Sequence, residues 1–483
     1  MDTASQLSGR LQDDLESIRK AAGYSADLLA APFTVGSVPC CLLTCEGMVS
    51  QAVLTELLTG PLRQTGPSPD SPDALQDLLR SRQLLSADST VLREIPALLV
   101  HLYAGFAVLL TDGADTALAY GVQGFASRGI SEPSGEQNIY GAKEGFTEPI
   151  RTNMSLLRRR MKSPLLVFEL ISAGSVSRTD LCLCWLRGRV PEDLLDEIRR
   201  LLSSLPLETV LSAGYVRPFL EHSDSALVHS VGTTERPDVL CAKLLEGRAG
   251  ILIDGTPFAL VVPQLFCETF QTLDDYNYPP AYATMLRWLK YTAGLTALLL
   301  PALYLAVSLH CPALMHEALL RLLTGSEQNA PFSLTAEMLG ILLMYEILRE
   351  AGLRMPKAVG SAVGIIGGLL IGDAAVQSGL ISTPVLTAAA LSAAAGFVIP
   401  EHHAALTVLR PLFILAAAVS GFAGIAVTGI AVLCHVCAAE AFGFPVSAPA
   451  APLLPHRLRD VLARIGFRRL SQNNFRVEEI RQR

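Results

Sequence analysis

Apolar and polar positions divide this chain into two halves with different patterns. Up to residue 287 the sequence alternates short apolar runs with turn residues and charged helical stretches such as PEDLLDEIRR (191–200). Two of those stretches echo one another: AGFAVLLTDGADTALAY (104–120) and EGRAGILIDGTPFALVV (246–262). Each runs glycine, apolar strand, Asp-Gly, second strand, with Gly105 seven positions before Asp112 and Gly247 seven before Asp254. Asp-Gly between alternating apolar runs predicts a β-hairpin with a type I′ turn. Helical patterns precede both, VLREIPALLVHLY and PDVLCAKLL, and the glycine would cap each helix. CCLLTCEGMVSQAVLTELL (40–58) reads as a third, degenerate strand–turn–helix. The expectation is a pair of related α/β subdomains over 30–150 and 165–287, preceded by a polar helical segment (1–29) and joined by a charged connector (151–164).

From Trp288 to about Phe444 the alternation gives way to long runs of Ala, Leu, Ile, Val and Gly. WLKYTAGLTALLLPALYLAVSLH (288–310) matches a hydrocarbon core of about 30 Å, with Trp288, Lys290 and Tyr291 as interfacial anchors. A second span covers about 358–377, and a third (380–399) follows a tight turn at Ser378-Gly379. The run 405–443 is either one tilted, glycine-broken helix or two short ones meeting near Gly421 and Gly424. The stretch 334–354 is apolar but carries Glu337, Glu346, Arg349 and Glu350, and it either lies at the interface or crosses with its carboxylates inward. With both ends on one side the number of spans is even; six places Arg354, Lys357 and Arg410 inside, whereas four puts Arg349, Arg354 and Lys357 outside.

Within the second span Gly360, Gly364, Gly368 and Gly372 stand four apart and Asp373 follows. Each interior glycine costs a water-exposed helix about 1 kcal/mol against alanine. In lipid the same strip lets another helix approach closely, so the ladder reads as a packing face. Asp373 either faces a wet lumen or lies near the interface and caps the turn. Asp373, Glu337 and Glu346 are the candidate pore or polar membrane positions.

Composition supports the division. A hydrophobic fraction of 50%, only 17% charged residues and a mean hydropathy of +0.39 are too apolar for an ordinary soluble enzyme. The net charge of −7 averages opposite regions, since 445–483 is an arginine-rich tail. The chain opens on polar sequence rather than a basic-then-apolar leader, so the first half is expected in the cytoplasm. The ten cysteines sit in apolar runs without disulfide spacing. Cys434 and Cys437 form a C-x-x-C around His435, but no second ligand pair accompanies it, and small buried hydrophobes are the expected reading. Asp112 and Asp254 are explained as turn formers rather than a catalytic pair. Phosphate-loop, nucleophile-elbow, zinc-protease and kinase motifs do not occur, so neither enzyme chemistry nor a cofactor, metal or nucleic-acid partner is expected.

Between the hairpin units, residues 132–164 mix acids with a basic end, which reads as a surface helix, a docking site or a patch for anionic headgroups. Three stretches then resemble one known family. EGFTEPIRTNMSLLRRR, TERPDVLCAKLLEGRAGILIDGTPFALVVP and EILREAGLRMPKAVGSAVGIIGGLLIGDAAVQSGLIS, in this order, are similar to the A-subunit family of bacterial spore germinant receptors, which includes stage V sporulation homologues. The resemblance implies an α/β cytoplasmic region of two related subdomains followed by an all-α polytopic membrane domain (288–444) in the spore inner membrane. It implies partners too: a transporter-like B subunit, a lipoprotein C subunit, further copies of the chain and membrane lipids. By motif, Glu144, Gly145, Phe146, Thr152, Asn153, Arg158, Arg159 and Arg160 would form a subunit contact. The family's expected role is a nutrient-gated cation channel; the alternative is a non-conducting scaffold of the germination complex.

Overall fold

The computed structural model describes residues 6–56, 71–75, 88–124, 136, 141–221, 228–314, 331–354, 374–454, 458–470 and 476–480. Its first half contains two five-stranded antiparallel sheets with one strand plan. The first holds β1 (Leu28–Val35), β2 (Val38–Cys45), β3 (Ser89–Leu92), β4 (Phe106–Thr111) and β5 (Ala117–Gly121), ordered β1-β2-β4-β5-β3. The second holds β6 (Leu166–Ala173), β7 (Thr179–Leu186), β8 (Gly232–Thr234), β9 (Ala249–Ile253) and β10 (Ala259–Val262), ordered β6-β7-β9-β10-β8. The helices correspond as well: α1 (Leu11–Ala21) and α2 (Ile95–Leu102) cover one face of the first sheet, α3 (Ile150–Arg160) and α6 (Pro237–Leu245) one face of the second. Helices α4 (Glu192–Ser203) and α5 (Ala213–Leu220) cover the second sheet's other face.

The repeat extends to single hydrogen bonds. In the first subdomain the Leu11 amide donates to Asp112 Oδ1 at 3.0 Å; in the second the Ile150 amide donates to Asp254 Oδ1 at 2.9 Å. The Ser8 amide donates to Asp14 Oδ1 (2.7 Å), and the Thr147 amide to Asn153 Oδ1 (2.8 Å). The hairpins form as the pattern predicts, but their turns are not type I′. Of each Asp-Gly pair only the glycine has positive φ (Gly113 85°, Gly255 83°), and five residues separate the paired strands. Each aspartate therefore also occupies a helix N-terminus, satisfying an orphan amide with a carboxylate.

Two segments that charge alone sets apart belong to these cores. Helix α1 buries Leu11, Leu15 and Ile18 in the first subdomain. The basic stretch 150–160 is not a surface helix: Met154, Leu156 and Leu157 lie in the second core, and Asn153 and Arg158 are buried with them.

The second half is a helical bundle: α7 (Pro280–His310), α8 (Leu334–Arg354), α9 (Thr383–Phe397) and α10 (His403–Ala438). Two helical segments, 280–310 and 400–438, are long and apolar enough to cross a membrane. Ala302, Leu305, Met338, Val385, Leu409 and Phe413 form the bundle core, while Leu343, Ile347, Leu412, Val419 and Leu433 point outward.

Of the two readings of 405–443, that of two short helices meeting near Gly421 is correct. At Gly421 the backbone takes φ 59° and ψ −134°, outside the helical region. Beyond it the chain doubles back: a Cβ on Gly424 would overlap the Ala416 carbonyl oxygen, and Ile425 and Val432 pack on the cluster holding Phe413. The halves 403–420 and 422–438 are each about 26 Å long at 1.5 Å per residue. His310, ending α7, donates from its Nε2–H to the Ala418 carbonyl (3.0 Å), which sets the bend at the end of the bundle far from the α/β pair. The near end is the base.

The arginine-rich tail is not free. After α10 a short ribbon (Glu440–Ala441 with Phe444–Pro445) enters the second subdomain, where Ala441, Phe442, Phe444 and Val477 join its core. The glycine ladder Gly360–Gly372 and Asp373 lie outside the described residues.

Candidate functional site

From the family-motif stretch on α3, Arg158 and Arg151 reach across to the first subdomain. Arg158 is fully buried on α3; its Nε donates to Asp27 Oδ2 (2.8 Å) and its Nη2 to Asp27 Oδ1 (3.0 Å). Asp27, which precedes β1, is 1% exposed. The guanidinium lies 3.9 Å from the Tyr103 ring centroid and 5.0 Å from that of Phe168. Burial works against its charge, but Asp27, with Tyr103 and Cys45 beside it, outweighs burial and holds the guanidinium above its ordinary pKa. Arg151 reaches Glu46 at 2.6 Å, the Ala26 amide donates to the Phe168 carbonyl at 2.8 Å, and Arg187 donates to the Lys20 and Ala21 carbonyls ending α1.

The remaining motif positions fix the strand-like approach to α3. Glu144 pairs with both Arg159 and Arg160, Gly145 and Phe146 are buried, and the Phe146 amide donates to the Glu235 carbonyl at 2.7 Å. Asn153 Nδ2 returns to the Thr147 carbonyl at 2.5 Å, while Thr152 is half-buried. Arg236 donates to the Ala142 carbonyl (2.9 Å) and to Asp238 (2.7 Å). Glu136 accepts from Thr234 Oγ1 at 2.8 Å, and burial pushes its carboxyl up to about 7.

A second cluster joins the α/β pair to the bundle. The short 3-10 helix Phe266–Phe270 places Phe270 against His402 (4.6 Å between centroids, stacked) and Tyr291 (4.8 Å), and Thr269 Oγ1 meets His402 Nε2 at 2.7 Å. Within it Glu268 bonds to the fully buried Arg248 and lies 3.1 Å from Lys243 Nζ. Burial alone would raise the Glu268 carboxyl; Arg248 and Lys243 outweigh it and hold the acid below its ordinary pKa.

Inside the bundle, both described acids named from sequence serve packing contacts. Glu337, 3% exposed, accepts from the Ser382 amide at 2.9 Å, joining α8 to the start of α9. Glu346 accepts from Arg349 Nε (2.8 Å) and Thr407 Oγ1 (3.2 Å) and lies 3.3 Å from His403 Nε2. Sequence reasoning used Arg410 only as a topology marker; it is 2% exposed, its Nε donating to the Ala297 carbonyl (2.8 Å) and its Nη2 to the Ser392 carbonyl (3.1 Å). It fits because Gly396 has no side chain: a Cβ there would stand 2.7 Å from Nη2. An arginine inside an apolar run was the available signal.

The cysteines divide. Cys40, Cys41, Cys45, Cys182, Cys184 and Cys241 are buried, and burial pushes the Cys40 and Cys41 thiols up to about 11. Cys434 and Cys437 are exposed on the outer face of α10 and are not buried hydrophobes. Among the described residues no group of three or more His, Cys, Asp or Glu could hold a metal ion.

Fold and junction together define a two-part chain, a repeated α/β pair fastened to the base of an apolar helical bundle. Residues 16–474 match the family described as Bacillus/Clostridium GerA spore germination protein, and the chain belongs to that family. It is 34% identical to spore germination protein KA of Bacillus subtilis (strain 168), covering 95% of this chain and 85% of that protein. Spore germination protein GerLA of Bacillus cereus is 31% identical over 92% of this chain and 91% of its own length. A similar solved structure is the N-terminal domain of the A subunit of the Bacillus megaterium spore germinant receptor GerK3, at 28% identity, covering 55% of this chain and 99% of that chain, with a TM-score of 0.42.

Proposed function

We propose that this chain is the membrane A subunit of a nutrient-responsive spore germination receptor, without enzymatic activity of its own. The observation that carries the reading is the family match from 16 to 474, which takes in both the α/β pair and the bundle. In this reading the α/β pair lies in the cytoplasm and the bundle is multi-pass in the spore inner membrane. A transporter-like B subunit and a lipoprotein C subunit complete the receptor, and copies of the chain associate and conduct cations when nutrient is sensed.

Contacts within the bundle support an even number of crossings. Helix α7 leaves the base and ends at His310 beside the bend of α10. Helix α8 begins beside Ser382 and returns to base level, where Glu346 meets His403. The described chain stops at Arg354 near the base and resumes at Ala374, whose neighbour Ala375 accepts from the amides of Leu380 and Ile381 beside Ser382 at the far end. Helix α9 returns to the base at Ile399, and the halves of α10 go out and back. Six crossings fit this order of ends, with Gly360–Gly372 as a packing face and Asp373 as the acid available to a wet pathway.

One observation favours a second reading, a non-conducting scaffold: Glu337 and Glu346 hold helices together rather than standing free. Ion release from spores carrying Asp373→Asn separates the two. A conducting subunit changes its kinetics or ion preference at normal protein level; a scaffold does not.

A further inference from the structure

The tail carries a strap across the base of α7. Its two anchors are apolar: Phe442 and Phe444 in the core of the second subdomain, and Val477 and Ile480 further along, each 3% exposed or less. Between them, residues 458–464 run beside the first turns of α7 and hold it by polar contacts. The Trp288 indole N–H donates to the Leu462 carbonyl and the Tyr291 hydroxyl to the Val461 carbonyl, both at 3.0 Å. Thr284 Oγ1 accepts from the Arg464 amide (3.1 Å), and the Arg464 guanidinium donates to the Tyr276 carbonyl (3.0 Å).

Asp460 is the centre of the contact. It accepts from the Tyr276 hydroxyl at 2.7 Å, and both its carboxylate (3.3 Å) and its backbone carbonyl meet Arg287. Arg287 is fully buried and is also held by Asp275 (3.1 Å), itself 1% exposed; Lys290 closes the group at 3.3 Å from Asp275. Two acids balance two bases here, one acid from the strap. Asp460 is 29% exposed and Leu462 48% exposed, though Arg464 is buried, so the stretch around 460–462 can lift while both anchors stay in their cores. Lifting it leaves Arg287 and Lys290 facing one carboxylate, which loosens the base of α7.

We propose that residues 458–464 are a latch that holds the base of α7 against the second subdomain at rest and releases it when the subunit responds. The inference rests on the germination reading above for its functional readout, and on the contact itself for its structural one.

The test pairs Thr284→Cys with Ala463→Cys in the full-length protein. In isolated membranes the pair is expected to form a disulfide on mild oxidation, a readout independent of germination. In spores the oxidised pair should lose nutrient-triggered potassium release, reductant should restore it, and Ala463→Cys alone should respond as the parent does. Asp460→Asn, at unchanged protein level, should raise nutrient-independent release several-fold. Absence of the disulfide overturns the latch, as does a normal response from the locked pair or a reduced basal release from Asp460→Asn. Failure of the germination reading appears separately, as potassium release that survives deletion of the whole gene.

Discussion

Arg158 and Asp27 face one another across the boundary of the two α/β subdomains, 131 residues apart in sequence, both buried and joined by two hydrogen bonds of 2.8 and 3.0 Å. The pair is enclosed by Tyr103, Phe168 and the Ser25 hydroxyl, 3.3 Å from Arg158 Nη2. Charges this deep stabilise a boundary only as a pair. Removing one partner leaves the other uncompensated in a low-dielectric site, at about 3–5 kcal/mol. Asp27→Ala is therefore expected to lower the thermal midpoint of the purified protein sharply, while Asp27→Leu with Arg158→Met recovers most of the loss. A double variant no better than the single would show that the pair supplies more than charge compensation.

Asp112 and Asp254 perform one task in two copies, each accepting from the first amide of a helix. Alanine at either should cost about 0.5–2 kcal/mol, the range of a helix N-cap. The two losses should add, since the sites share no partner. Chemical denaturation of Asp112→Ala, Asp254→Ala and the double variant measures this.

Gly421 permits the reversal of α10. Its φ of 59° disfavours any side chain, and an added Cβ would meet the His310 ring at 3.0 Å. Gly421→Ala should destabilise the bundle by about 1–3 kcal/mol. Gly429→Ala, whose Cβ would find only Phe413 at 4.0 Å, should be tolerated. Thermal aggregation of both variants in detergent checks the contrast.

Glu268 sets a pH dependence. Its carboxyl is held below the ordinary glutamate value of 4.5 by Arg248 and Lys243, so its contribution to stability is fully present above that value. It is lost as pH falls through the lowered folded-state value. Glu268→Gln should weaken the protein at neutral pH and flatten its stability profile below pH 4.5. A variant profile parallel to the parent's at acid pH would contradict the assignment.

Local chemistry made parts of this fold legible in sequence. The spacing of Gly105 to Asp112 and of Gly247 to Asp254 exposed the repeat, because strand pairing and turn formation act over a few residues. The partners of those aspartates did not show: Leu11 and Ile150 lie more than a hundred positions away, and nothing near either names the other. Charge misled at α3, where a run of three arginines suggests a surface yet Arg158 is buried by an aspartate contributed from afar. The break at Gly421 was readable as one of two outcomes, since glycine permits a reversal without requiring it. Asp460 was hidden for the same reason as Asp27: an acid in a basic tail has no meaning until Arg287 is placed beside it.

Potassium release from spores after nutrient addition tests the central claim most directly, comparing the intact gene, its deletion and Asp373→Asn. A conducting receptor subunit predicts release that is lost on deletion and altered in kinetics or ion preference by Asp373→Asn at normal protein level. Release unchanged by either, in spores without a paralogous receptor for the same nutrient, would contradict it.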